Sequence, residues 1–196
     1  MELILASASP RRKELFNMIG LVFRAVASDA NEDIPVMEAS KYVERLALVK
    51  AQSVKARYPG ACVVGCDTIV FLDGKIIGKP RDEEDAYRIL SQLSGRTHSV
   101  YTGLAVITDN TLSVEHDVTN VTFAEMGADE IRSYIRTGEP MDKAGAYGIQ
   151  GMGGIFVNRI EGCYFTVIGL PLPKLYRALL KVGIYPDAMA KQDTAI

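Results

Sequence analysis

Leu3-Ile4-Leu5-Ala6-Ser7-Ala8-Ser9-Pro10-Arg11-Arg12-Lys13-Glu14-Leu15-Phe16 joins an apolar run, a turn of small residues and a helix start. The apolar run reads as a buried strand. Ser9 stands where a side-chain oxygen caps free N–H groups, and Pro10 stands at the first helical position, where its missing donor costs nothing. Arg11 and Arg12 then fall in the first helical turn, where the macrodipole is already positive and each cation is disfavoured by roughly 0.3–1 kcal/mol. Serines, unpaired N–H groups and two guanidinium forks suit an anion there, phosphate best. A solvated basic helix start is the other reading.

Outward from this unit, strand and helix patterns alternate to the end. Val22 to Ala27 reads as a strand, and Ser40 to Arg57 carries Tyr42, Leu46, Val49 and Val54 at helical spacing before Pro59-Gly60. Ala61 to Phe71 is a β-branched apolar run, turned at Asp73-Gly74 into Lys75-Ile76-Ile77. Asp82 to Leu93 opens on acids, as a helix start prefers, and stops at Gly95. Thr97 to Thr108 and Leu112 to Ala124 alternate like neighbouring antiparallel strands. A short helix over Ala128 to Arg136 follows. Glu139 to Gly154 lacks periodicity, and strands are expected at Ile155 to Ile160 and Tyr164 to Ile168, with a last helix from about Pro173 to Val182. Hairpins and helical crossovers together imply an α/β fold, a single domain over 1–196 with a central mixed sheet flanked by helices. The polar tail after about residue 184 is expected to fray.

Composition narrows the function. The 196 residues carry a net charge of −2, so no overall basic field draws nucleic acid, and an anionic ligand must meet local cations. No apolar run nears the roughly 18 residues of a membrane span, and the start lacks the pattern of a secretory signal, so a cytoplasmic protein is expected. Cys62, Cys66 and Cys163 lack zinc-ligand spacing and read as free thiols.

Three further segments can carry chemistry. Asp67, in Gly65-Cys66-Asp67-Thr68, interrupts an apolar strand. A carboxylate there must be paired, bound to metal or perturbed. It is either bonded to a nearby backbone turn or a metal ligand or general base at the end of a central strand. Gly78-Lys79-Pro80-Arg81 presents Lys79 on a loop that proline stiffens, unless Lys79 is plain surface. Asp142-Lys143-Ala144-Gly145-Ala146-Tyr147-Gly148-Ile149-Gln150-Gly151 allows close backbone approach, as a ligand loop or a flexible connection would. It has neither the Walker nor the dinucleotide spacing. Glu32, Asp33 and Lys50 read individually as surface.

In order and rough spacing these segments, with Leu93-Ser94-Gly95-Arg96-Thr97-His98 and Val167-Ile168-Gly169-Leu170-Pro171, resemble the Maf family from about Leu3 to Leu180. The resemblance implies a cytoplasmic, metal-dependent nucleoside triphosphate pyrophosphatase, commonly a homodimer, with an α/β fold related to the inosine triphosphate pyrophosphatases. It implies Asp67, Glu32 and Lys79 as catalytic, Ser9, Arg12 and Lys50 as substrate-binding, and Asp67 and Glu32 as ligands of Mg²⁺ or Mn²⁺. Arg11, Thr68 and Gln150 match the set of the branch that prefers dTTP and UTP; the sister branch acting on 7-methyl-GTP carries an aromatic residue, a glutamine and a glutamate there. Cys66 departs from the usual alanine, and Glu161-Gly162-Cys163 from an Asn-Gly or Asp-Gly turn. The expected reaction cleaves the α–β anhydride to a monophosphate and pyrophosphate. The rival expectation is a nucleotide-binding regulator of cell division without significant hydrolysis, against which the paired carboxylates argue.

Overall fold

The run Leu3–Leu5 forms strand β1, all three residues buried, and Pro10–Met18 forms helix α1 with Pro10 in its first turn. The computed structural model describes residues 1–35 and 37–189. After α1 come β2 (Arg24–Ala25), α2 (Ala39–Lys55), β3 (Cys62–Leu72), β4 (Lys75–Ile77) and α3 (Glu83–Leu93). Next are β5 (Thr97–Ile107), β6 (Leu112–Phe123), α4 (Ala128–Ile135), β7 (Val157–Glu161), α5 (Tyr164–Ile168) and α6 (Leu172–Lys181). Three short 3-10 turns occupy Glu139–Asp142, Ala144–Ala146 and Met152–Phe156, which is why that stretch shows no regular period. Asp82 caps α3 by accepting from the Asp85 N–H at 2.7 Å, ahead of three acids in the first turn.

The strands form one mixed sheet in the order β2-β1-β3-β5-β6-β7, with β4 against β3. β1 is parallel to β2 and to β3, and its register with β3 ends at Leu5 opposite Val64. The antiparallel pairing of β3 with β5 runs on from Val63–Ile107 to Phe71–Ser99. β4 joins β3 only from Val70 onward. One edge of β3 therefore has no strand beside it around Asp67, and a crevice opens there.

Alternation of side chains gives the sheet two covered faces. Leu3, Leu5, Val64, Cys66 and Leu104 meet Phe16 of α1 and Leu175 and Leu179 of α6 on one side. Ile4, Val63 and Ala105 meet Ala47, Ala51 and Val54 of α2 on the other. α2 lies almost on the backbone of the sheet: a Cβ at Gly65 would stand 2.2 Å from the Ala47 carbonyl oxygen, and one at Gly103 2.1 Å from that of Val43. Only glycine admits that approach. Further along, α3, α4 and the 3-10 turns cover Val70, Val100 and Phe123. There His98 packs edge-on against Phe123 and Tyr147.

Two expected strands differ. Val22 to Ala27 shortens to the two exposed residues of β2, because the chain flanks β1 only briefly. Tyr164 to Ile168 is not a strand but the helix α5, closed by Gly169 at φ 114°. Five β-branched and aromatic residues are too few for periodicity to separate strand from helix. The left-handed residue after them ends a helix, as glycine does. The end of the tail, residues 190–196, lies outside the described residues. Among those described, no helix is long and apolar enough to cross a membrane.

Replacing Gly103 by alanine is expected to push α2 off the sheet and destabilise the fold by about 1–3 kcal/mol in urea titration. Gly78→Ala, whose added carbon meets open space, is expected to stay within about 0.5 kcal/mol. Equal effects would show that α2 yields without cost.

His98 supplies a pH dependence. Burial pushes its pKa down to about 4; Nε2 lies 2.9 Å from the Tyr147 hydroxyl, and Nδ1 has no partner among the described residues. The unfolded chain takes up this proton near its ordinary value of about 6.5. Between those values the unfolded state binds more protons, so stability is full above about pH 6.5 and lost as pH falls toward 4. From pH 7 to 4.5 the wild type should lose about 2 kcal/mol more than His98→Gln in paired urea titrations. Parallel losses would remove His98 as the cause.

Candidate active site

Asp67 sits in the middle of β3 rather than at a strand end, but just past the point where β1 stops. Its side chain points to the α2 face, where Lys50 Nζ lies 2.6 Å from its Oδ1 and 2.9 Å from Glu32 Oε2. The ammonium and the Asp67 carboxylate are only 13% and 12% exposed, and Glu32 reaches in from the open side at 55%. The partner that a carboxylate in an apolar strand requires is thus a lysine, not a backbone turn. Lys50 joins the site because α2 approaches so closely one turn before it. Both carboxylates converge on one point.

Thr68, the next residue, points to the opposite face. Its hydroxyl accepts from Arg12 Nη2 at 3.1 Å and lies 3.0 Å from the Thr102 hydroxyl. Arg12 Nε donates to the Gly169 carbonyl at 2.8 Å, and Nη1 to Ser7 Oγ at 3.4 Å. Among the described residues, neither Arg12 nor Lys79 forms a salt bridge. Arg12 is fixed by neutral oxygens that do not compensate its charge, and two of its five N–H groups meet no acceptor among the described residues. Lys79 is exposed on its loop.

At the start of α1 the expected cap is corrected. Ser9 occupies the N-cap position, but its side chain makes no cap bond. The hydroxyl that organises the turn is Ser7, which accepts from the Ser9 N–H at 3.2 Å as well as from Arg12. The small-residue turn that includes Ser7 was legible in sequence. Which serine faces inward was not.

Across the crevice, Arg11 Nη1 is 3.6 Å from Asp142 Oδ2, and Lys143 Nζ is 2.6 Å from Asp142 Oδ1. The glycine-rich stretch is held from within by Glu139, which accepts from the Tyr134 hydroxyl at 2.8 Å and from the N–H groups of Met152 and Gly153 at 2.9 and 3.1 Å. Burial raises the pKa of Glu139, but these donors outweigh it and hold the carboxyl below its ordinary range. Gln150 is exposed at the crevice wall.

All nine expected residues, Ser9, Arg11, Arg12, Glu32, Lys50, Asp67, Thr68, Lys79 and Gln150, border one cavity of about 450 Å³. The cavity wraps around the free edge of β3. Its α2 side holds the carboxylates and Lys50; its other side holds Thr68, Arg11 and Gln150. Sequence reading missed Ser7, Thr102, Glu139 and Thr166, whose roles depend on which hydroxyl or carboxylate finds which partner across the fold. Three cations beside a helix start can take a polyanion. Among the described residues no three His, Cys, Asp or Glu side chains cluster as metal ligands. A cation held by Asp67 and Glu32 would therefore complete its shell with oxygens of water or ligand, as Mg²⁺ commonly does.

Comparison with known proteins finds relatives along nearly the whole chain. A dTTP/UTP pyrophosphatase of Clostridium botulinum (strain Eklund 17B / Type B) is 52% identical over 180 residues, which cover 89% of this chain and 96% of that one. One of Aquifex aeolicus (strain VF5) is 46% identical over 188 residues, covering 94% and 97%. The Staphylococcus aureus Ham1 protein superposes with a TM-score of 0.52 over 93% of this chain and 99% of its own. At 16% identity that likeness concerns the fold alone. The family model for Maf-like protein matches residues 2–182, nearly the whole chain, and the protein belongs to the Maf family.

Proposed function

We propose that this protein is a nucleoside triphosphate pyrophosphatase that hydrolyses dTTP and UTP, modified pyrimidine nucleotides included, to the monophosphate and pyrophosphate. The observation that carries the reading is one crevice with paired carboxylates and a half-buried lysine on one side of the sheet and Thr68, Arg11 and Gln150 on the other. The relatives named dTTP/UTP pyrophosphatase, at about half identity over most of the chain, support the substrate class. Family resemblance adds a cytoplasmic homodimer to the proposal. The net charge of −2 supports a partner that is a nucleotide rather than a nucleic acid.

In this reading Asp67 orients the attacking water and accepts its proton. Lys50 balances the two carboxylates until the polyanion arrives. Arg12, Lys79 and Ser9 with the free N–H groups of α1 hold the triphosphate and the charge that builds on the leaving pyrophosphate. Mg²⁺ or Mn²⁺ fits the hard-oxygen pair Asp67 and Glu32, and when bound supplies charge neutralisation and a more acidic water. Gln150, with one amide donor pair and one acceptor, can pair with the edge of a pyrimidine, while Arg11 and Thr68 shape the pocket.

Incubation with UTP and Mg²⁺ is expected to release pyrophosphate and UMP in equal amounts; release of orthophosphate, or of nothing, would overturn the proposal. Asp67→Asn keeps the side chain's shape and should lose about 10²–10⁴-fold in kcat while remaining folded by circular dichroism, since Glu32 still faces Lys50. Wild-type turnover in that variant would remove Asp67 from the chemistry. Gln150→Glu, which exchanges the amide donors for acceptors, is expected to shift preference away from UTP across a nucleotide panel. An unchanged profile would show that this side chain does not read the base.

A further inference from the structure

Thr68, Thr102 and Asp117 stand opposite one another on β3, β5 and β6, as a cross-strand row on the face that α5 covers. Thr102 and Thr166 are both fully buried, so neither hydroxyl has water to turn to. The Thr102 hydroxyl lies 2.8 Å from the Thr166 carbonyl oxygen. A carbonyl cannot donate, so Thr102 spends its single hydrogen there. Its contact with Thr68, at 3.0 Å, must then be one that Thr102 accepts. Thr68 therefore donates its own hydrogen to Thr102, away from the crevice. Arg12 Nη2 donates into Thr68 from the other side at 3.1 Å. The order of donation is Arg12 to Thr68 to Thr102 to the Thr166 carbonyl, a chain in which each bond polarises the next. Its far end is anchored, because the Thr166 hydroxyl donates to Asp117 Oδ2 at 2.5 Å and Lys174 lies 3.3 Å from Asp117 Oδ1.

We propose that Thr102 is a positioning residue that turns the Thr68 hydroxyl hydrogen inward, so that Thr68, with one lone pair taken by Arg12, offers a ligand only its remaining lone pair and selects a pyrimidine bearing N3–H. This rests on the pyrimidine triphosphate reading above. Uracil and thymine each present one hydrogen-bond donor, the ring N3–H, between two carbonyl acceptors. An acceptor-only hydroxyl that serves both bases must meet that group. Cytosine presents a bare N3 there, and acceptor then faces acceptor. A hydroxyl free to rotate would bond either base and could not make this distinction. Thr102 touches no ligand; it acts by removing the alternative rotamer of Thr68.

The test compares kcat/KM for UTP and CTP in the wild type, Thr102→Val and Thr102→Ser. Valine keeps the volume and removes the acceptor, freeing the Thr68 hydrogen to reach the crevice. The UTP-over-CTP ratio is expected to fall at least ten-fold in Thr102→Val, mostly through a gain in CTP turnover, and to be kept within three-fold in Thr102→Ser. An equal loss on both nucleotides, or an unchanged ratio, would overturn the proposal. Should the valine variant fail to fold, wild-type turnover of UTP methylated at N3 decides: loss of ten-fold or more agrees with N3–H readout, and turnover equal to UTP overturns it. A wild type that hydrolyses neither nucleotide would instead overturn the pyrophosphatase reading, so the two failures are distinct.

Discussion

β1 stops pairing with β3 at Leu5–Val64, whereas β5 stays paired with β3 seven residues further, to Phe71. Most of the site follows from that mismatch. A parallel neighbour that ends early must leave through a loop at its C-terminal end, and in open α/β sheets that is where ligands find room. Here the departing chain is the turn Ser7 to Ser9, which delivers the N-terminus of α1 and Arg12 to the exposed edge of β3. The long antiparallel partner keeps the strand straight across the gap. Asp67 and Thr68 thus sit in a rigid backbone that lacks a neighbour on one side only.

Alternation along that strand separates the two tasks of the site. Asp67 faces α2 and Thr68 faces α5, so the carboxylate chemistry and the threonine network meet only around the strand edge. The α2 side is held unusually near by Gly65 and Gly103. Proximity matters because Lys50 must enter a nearly dry position to reach Asp67. A buried ion pair adds little net stability over an apolar pair of the same volume, yet loss of either partner strands an uncompensated charge. The pair therefore reads as a constraint accepted for what it holds in place, namely two carboxylates aimed at one point.

Much of this was legible in the sequence because it rests on local rules. The strand–turn–helix at the start, the Asp73-Gly74 hairpin, the acidic opening of α3 and the need of Asp67 for a partner all follow from nearest-neighbour chemistry. Grouping the nine site residues, by contrast, came from family resemblance; periodicity alone left Lys50, Lys79 and Glu32 as surface. The failures share a cause. Tyr164 to Ile168 has strand-like residues, and its helical state is set by Gly169 and by Thr166 docking on Thr102 and Asp117. Ser7 rather than Ser9 organises the turn because Arg12, in the first turn of α1 and held by the distant Gly169 carbonyl, donates to it. Such outcomes depend on groups distant in sequence, and short segments carry no record of them.

The two adjacent arginines show how partner chemistry, not position, divides roles. Arg11 meets a carboxylate, Asp142, at the rim, so its charge is balanced before any ligand enters. An ion pair of that kind at a part-exposed site is weak and exchanges readily. Arg12 meets the Gly169 carbonyl and the hydroxyls of Ser7 and Thr68, which fix its plane without cancelling its charge. A cation held by neutral dipoles is preorganised for an anion and loses little freedom when one binds. Under the proposed function Arg12 holds phosphate, and Arg11, whose contact can be traded for another, adapts to the base. α5 supplies the Thr166 carbonyl that fixes Thr102, and its capping residue Gly169 the carbonyl that fixes Arg12, so one short helix and its cap set the geometry of both sides of Thr68.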